Sequence, residues 1–273
     1  MSHPRGIRIG LLGLPFDWHS SFMKGPAGAP DLIREALVCE STNCYSETGF
    51  AIDDKLLIDC GNVVIDQPDD FASGIQKAVQ DVCGRGLLPL CIGGDHSVTW
   101  PVIAALGQQH HALTIVHFDA HTDLYHDFEG NPYSHASPFA RIMERFPHIR
   151  LIQIGIRTHN PHTRAQAEKF GVEVIEMIDF NPDLQIESTD PIYISFDLDG
   201  LDPAFAPGVS HHEPGGLSTR QALDIIHRLK GRIVGADVVE YNPVRDINGM
   251  TAMVAARLVK EIAGMMVLSN QPG

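Results

Sequence analysis

Short apolar runs alternate with helical patterns along the chain. The runs IRIGLLGL (7–14), KLLID (55–59), LLPLCI (87–92), LTIVHF (113–118), IRLIQIG (149–155), VEVIE (172–176), IYISFDL (192–198) and RIVGADVV (232–239) are short and rich in β-branched residues. They predict eight strands. Between them, 29–37, 69–86, 97–106, 137–146, 218–231 and 248–266 read as helices. APDLIREAL opens with a proline and an acid, and 69–86 closes on glycine, as helix ends do. Strand–helix alternation with apolar strands predicts an α/β fold, a mostly parallel sheet covered on both faces. No composition break, repeat or low-complexity tract divides 1–273, so one domain is expected.

Ligand sites in open α/β sheets form beyond the carboxyl ends of the strands. Polar clusters fall at that end four times: GGDHS after 87–92, DAHTD after 113–118, DLDGLDP after 192–196, and DVVEYNP at the end of 232–239. Side chains two apart on a strand point the same way. Asp119, His121 and Asp123 therefore share one side of a strand end, Asp197 and Asp199 share another, and His96 follows paired glycines. Close carboxylates repel, and burying them is costly without a compensating charge. Four carboxylates and two imidazoles suit two divalent ions better than one. An oxygen-rich set with histidine and no thiolate favours Mn²⁺. Singly, GGDH reads as a capped turn and DLDGLDP as an Asx turn. The convergence of three segments carries the metal reading.

Charge and cysteine content narrow the picture. With 20 basic and 34 acidic residues the formal charge is −14, which argues against nucleic acid or an anionic membrane as the main partner. A cationic small molecule fits that balance, although solubility alone explains it. The five cysteines include no C-x-x-C pair, and Cys60 and Cys91, at the ends of apolar runs, read as small core residues. MSHPRGIRIGLLGLPFDW lacks a long apolar stretch with a cleavage site, and no run approaches 18 apolar residues. A cytoplasmic protein is expected.

GGDHS, HFDAHTD and SFDLDGLDPAFAPG resemble the three metal signatures of the ureohydrolase superfamily, the arginases, agmatinases and their relatives. The likeness covers nearly the whole chain: GLPFDWHSSFMKGPAGAPDLIREAL resembles the family's N-terminal segment and GADVVEYNP its late acidic motif. It implies a three-layer αβα fold around an eight-stranded parallel sheet, two Mn²⁺ per chain, hydrolysis of a guanidino group to urea and an amine, and a homo-trimer or homo-hexamer. The ligands it implies are His96, Asp119, His121, Asp123, Asp197 and Asp199. By the same likeness His135 in NPYSHASPF matches a proton-shuttling histidine and Glu240 the acid that pairs with the substrate guanidinium; the chemistry of a metal-bound carboxylate makes Asp123 the expected proton relay.

The resemblance also bears on the substrate's tail. Arginases carry an asparagine two positions past the last aspartate of D-x-H-x-D, where this chain has Tyr125. LYHDFEGNPYSHASPF instead resembles agmatinase-type loops. Agmatine, cleaved to urea and putrescine, is the expected substrate, with Asp127, Glu129 and Glu213 complementing its distal ammonium. Where many relatives read T-G-T-P before two glycines, this chain reads VSHHEPGG. That places His211 and His212 at the rim and leaves a carboxylated tail open, 4-guanidinobutanoate ahead of arginine. A metal- and guanidino-binding member without turnover is the reading from another class, and no lesion at the eight positions supports it.

Overall fold

The computed structural model describes residues 6–110 and 112–271. Eight strands form one sheet: β1 Ile9–Gly13, β2 Leu57–Asn62, β3 Leu88–Ile92, β4 Thr114–Phe118, β5 Arg150–Ile156, β6 Glu173–Glu176, β7 Ile192–Asp197 and β8 Ile233–Val239. Their order is β2-β1-β3-β8-β7-β4-β5-β6, and every pairing is parallel. The expected mostly parallel sheet is thus fully parallel. Central strands are buried along most of their length, and β8 along all of IVGADVV. The edge strands β2 and β6 are partly exposed and carry Asp59, Glu173 and Glu176. Charge on an edge blunts pairing with other chains.

Helices α1 Ala29–Leu37, α6 Thr219–Arg228 and α7 Met250–Ser269 cover one face of the sheet. Helices α2 Phe71–Gly84, α3 Thr99–Leu106, α4 Pro138–Arg145 and α5 Pro161–Phe170 cover the other. Strand residues alternate between the two cores: Val116 and Phe118 pack toward α7, Ile115 toward α3 and α4. The apolar pattern of the sequence does not announce α5, because PHTRAQAEKF buries only Thr163, Gln166 and Ala167. Its signal lies at its ends. Asn160 forms a capping box with Thr163, Pro161 occupies the first turn, and Gly171 closes the helix at φ 65°.

The four strands whose ends carry the polar clusters, β3, β8, β7 and β4, are consecutive in the sheet. Segments up to 144 residues apart in sequence therefore meet at one edge. Two glycines allow that approach. Gly94 has φ 85°, and a Cβ there would lie 2.6 Å from the Leu14 carbonyl. A Cβ on Gly200 would lie 2.8 Å from the Asp119 nitrogen, so the loops after β4 and β7 touch only because that side chain is missing.

Candidate active site

Six side chains converge beyond the carboxyl ends of these strands. His96, Asp119, Asp123 and Asp197 place one donor atom each within 4.8 Å of one another. Asp119, His121 and Asp199 form a second such group, with Asp119 common to both. The His96 Nδ1 lies 3.2, 3.0 and 3.1 Å from carboxylate oxygens of Asp119, Asp123 and Asp197. The His121 Nδ1 lies 3.3 Å from Asp119 Oδ1 and 3.1 Å from Asp199 Oδ2. All six predicted ligand positions are brought together, and five of them are buried.

The chemistry of this set fits divalent cations. The His96 Nε2 sits 3.0 Å from Ser195 Oγ, which donates its only proton to Asp237 Oδ1 at 2.7 Å. Nε2 must then be the protonated nitrogen, and Nδ1 presents a lone pair to three carboxylates. Nδ1 is buried and makes no hydrogen bond among the described residues. In a neutral ring that lone pair faces three carboxyl groups, an arrangement a cation between them relieves. In the protein by itself a proton plays that part: burial opposes a charged ring, but the three aspartates hold the His96 pKa well above its usual value. In the protein by itself, burial and then the charges of Asp199 and Asp119 push the Asp197 carboxyl well above its usual range. Burial likewise lifts Asp199 to about 6 against the pull of His121.

A buried polar lattice holds the ligands in place. Asp237 accepts from Tyr193 Oη, Thr99 Oγ1 and Ser195 Oγ. His117 Nε2 bonds Asp119 Oδ2 at 2.8 Å, and Gln153 Nε2 donates to His117 Nδ1. The Arg157 guanidinium donates to the carbonyls of Gly155, Asp199 and Glu213, tying the loop after β7 to β5. The sequence reading missed these residues. The signal for Asp237 was visible, a carboxylate inside the otherwise apolar RIVGADVV. Replacing Ser195 with Ala is expected to weaken Mn²⁺ binding about 10- to 100-fold, because the His96 ring loses its orienting partner. Stability should also fall by about 1–3 kcal/mol, since Asp237 loses a buried donor. Calorimetric Mn²⁺ titration checks the first effect, and an unchanged affinity would show that the ring is held without Ser195.

The cluster opens into a cavity of about 230 Å³ lined by Asp123, His135, Asp197, Asp199, His211 and Glu240, among others. Glu240 Oε1 accepts from the His96 backbone N–H at 3.0 Å and lies 2.7 Å from His135 Nδ1. Its Oε2 makes no hydrogen bond among the described residues. Burial opposes a charged His135, but the charge and hydrogen bond of Glu240 outweigh it and hold its pKa up at about 9. The other ring nitrogen of His135 meets Ser21, another lining residue. Asp123 and Glu240 both adopt left-handed backbone, φ 50° and 62°. Such a conformation is uncommon for residues other than glycine, and such outliers cluster at functional sites.

A second, wider cavity of about 460 Å³ shares Ser21, Phe128, His211 and Glu213 with the first, so the two adjoin. Glu129 and His212 line the outer one, as does Arg245, which the sequence reading did not single out. Asp127 lines neither cavity. It is exposed, and its Oδ1 accepts from the Gly130 N–H, which makes it a turn-capping residue rather than part of this wall. Tyr125 lines the inner cavity, stacks on His162 and meets Asn160 through its hydroxyl. Of the two cysteines expected in the core, Cys91 is buried and Cys60 half-buried.

Comparison with known proteins agrees with this geometry. A family model described as the arginase family matches residues 7–264. A mitochondrial arginase of Medicago truncatula is 49% identical, the match covering 94% of this chain and 81% of the relative. A solved arginase structure from Medicago truncatula superposes with a TM-score of 0.92 at 46% identity, covering 96% of this chain and 88% of that one. A mitochondrial agmatinase of Gallus gallus is 36% identical over 94% of this chain and 80% of the relative. No helix among the described residues is long and apolar enough to cross a membrane.

Proposed function

This chain belongs to the arginase family, a family of metal-dependent amidinohydrolases, and from that premise we propose that it hydrolyses a small cationic guanidino compound to urea and an amine, arginine being the first substrate to expect. The observation that carries the reading is the convergence of the buried aspartate–histidine cluster and the open Glu240 Oε2 on one cavity. Two Mn²⁺ ions per chain would be held by His96, Asp119, His121, Asp123, Asp197 and Asp199, a donor set that suits this cofactor. Two divalent ions held there would lower the pKa of water for attack on the guanidinium carbon.

The remaining work falls to the chain's own side chains. Glu240 Oε2 accepts charge-assisted hydrogen bonds from the planar guanidinium and fixes its carbon beside Asp123 and Asp197. His135, bonded to Glu240 through one ring nitrogen and to Ser21 through the other, carries the proton that the departing amine needs. Asp123 stands between His96 and the cavity, where it can relay that proton.

Arginine is favoured by the higher identity to a protein named arginase and by the cation at the outer rim. Agmatine is the second reading. It rests on Tyr125 at the position where arginases carry asparagine, and on Glu129 and Glu213 in the outer wall. One domain over 1–273 and a homo-trimer or homo-hexamer complete the reading. A cytoplasmic location, expected from the N-terminal residues, is set against relatives named for mitochondria, and cell fractionation decides between them. The direct test is urea release by the Mn²⁺-loaded protein from arginine, agmatine and 4-guanidinobutanoate. Metal-dependent urea from at least one is expected. Metal binding without urea from any would leave a non-catalytic member.

A further inference from the structure

Arg245 is placed unlike many arginines of this acidic chain. Arg34, Arg150, Arg164, Arg220 and Arg257 each sit on a carboxylate. Among the described residues no carboxylate pairs with Arg245. Its neighbour Asp246 is engaged elsewhere, accepting from Tyr241 Oη and from the N–H groups of Thr251 and Ala252 at the start of α7. The Arg245 guanidinium instead donates to His212 Nδ1 at 2.7 Å, and His212 Nε2 bonds the Pro207 carbonyl at 2.7 Å. That chain fixes the histidine's tautomer and uses its ring to aim the cation.

The backbone beneath Arg245 is equally constrained. Asn242 receives the Val244 N–H, donates to Ser210 Oγ, and is bonded through its own N–H to the Gly208 carbonyl. Residues 208–213 and 240–246 are therefore laced together, and both supply walls of the outer cavity. A half-buried guanidinium without a carboxylate partner among the described residues, held by neutral partners in the cavity that adjoins the inner one, is preorganised for an anion carried by the ligand.

We propose that Arg245, presented by His212, is the residue that reads the far end of the substrate, binding the carboxylate of a guanidino amino acid while Glu240 holds its guanidinium. This rests on the guanidino-hydrolase reading and adds to it a specificity residue on the β8–α7 side of the site, away from the loop after β4. Glu129, in the same outer cavity, is left to face the α-ammonium.

The test compares Arg245→Met and His212→Gln with the unaltered Mn²⁺-loaded protein, using arginine and agmatine. Arg245→Met keeps the apolar stem and removes the charge. It should lower kcat/KM for arginine about 10- to 100-fold, through KM, and leave agmatine within about threefold. His212→Gln should show a smaller loss of the same sign. Calorimetry gives a readout free of turnover: ornithine should bind more tightly than putrescine, and Arg245→Met should erase the difference. Equal loss for both substrates, or an unchanged arginine-to-agmatine ratio in an active enzyme, would overturn the role of Arg245. Agmatine preference in the unaltered protein would overturn it too. Failure of every guanidino compound to release urea would remove the hydrolase reading itself, and the proposal with it.

Discussion

Replacing Asp123 with Asn should cut metal-dependent urea release about a thousandfold while leaving the metal-free fold intact. The Asp123 side chain faces His96 Nδ1 at 3.0 Å and makes no hydrogen bond to any other described residue. The change therefore removes a charge and no structural bond. Its backbone sits at φ 50°, a region asparagine tolerates well. Losing one ligand of the cluster should cost roughly 4 kcal/mol of transition-state stabilisation, or about a thousandfold in rate. The metal-free variant should melt no lower than the unaltered protein, because one of four crowded carboxylates is gone. Mn²⁺ at about 100 times its Kd would stabilise the unaltered protein by about 2.7 kcal/mol, a rise of roughly 5–10 °C in Tm. The variant should lose most of that rise. Full turnover with an undiminished metal-induced shift would remove Asp123 from the ligand set.

Glu240→Gln is the second large effect. The amide oxygen can still accept from the His96 N–H and from His135 Nδ1, so fold and metal content should persist. What changes is the atom left open to the cavity. An NH₂ group replaces a carboxylate oxygen, and the guanidinium loses its charged acceptor. Hydrogen bonds to charged groups contribute about 1.5–3 kcal/mol each, so kcat/KM should fall about 100-fold or more. The pH profile offers an independent check. Glu240 raises the His135 pKa, so without its charge the ring should lose its proton at lower pH. Burial of the ring pushes in the same direction. If charged His135 supplies the proton to the leaving amine, the alkaline limb of the profile moves toward neutrality. Loss of bound metal in place of these effects would show Glu240 to be part of the metal support.

The sequence alone determined the architecture and the identity of the six clustered side chains. Eight runs became eight strands because parallel strands buried on both faces need continuous apolar side chains, a pattern visible locally. The same locality explains why Asp119, His121 and Asp123 were legible together, as were Asp197 and Asp199: their spacing lies within one strand end. Helix α5 was not legible from its interior, since its helix is specified by Asn160, Pro161 and Gly171 at its ends more than by an apolar stripe. Only the tertiary structure decided which distant groups meet. Strand order brings the ends of β3, β8, β7 and β4 side by side, and that order depends on crossovers the local pattern does not encode. It set Asp237 behind Ser195 and His96, removed Asp127 to a turn, and carried Arg245 to the mouth of the cavity. Each of those placements depends on contacts between segments far apart in the chain, where packing and buried hydrogen bonding outweigh anything a local spacing expresses.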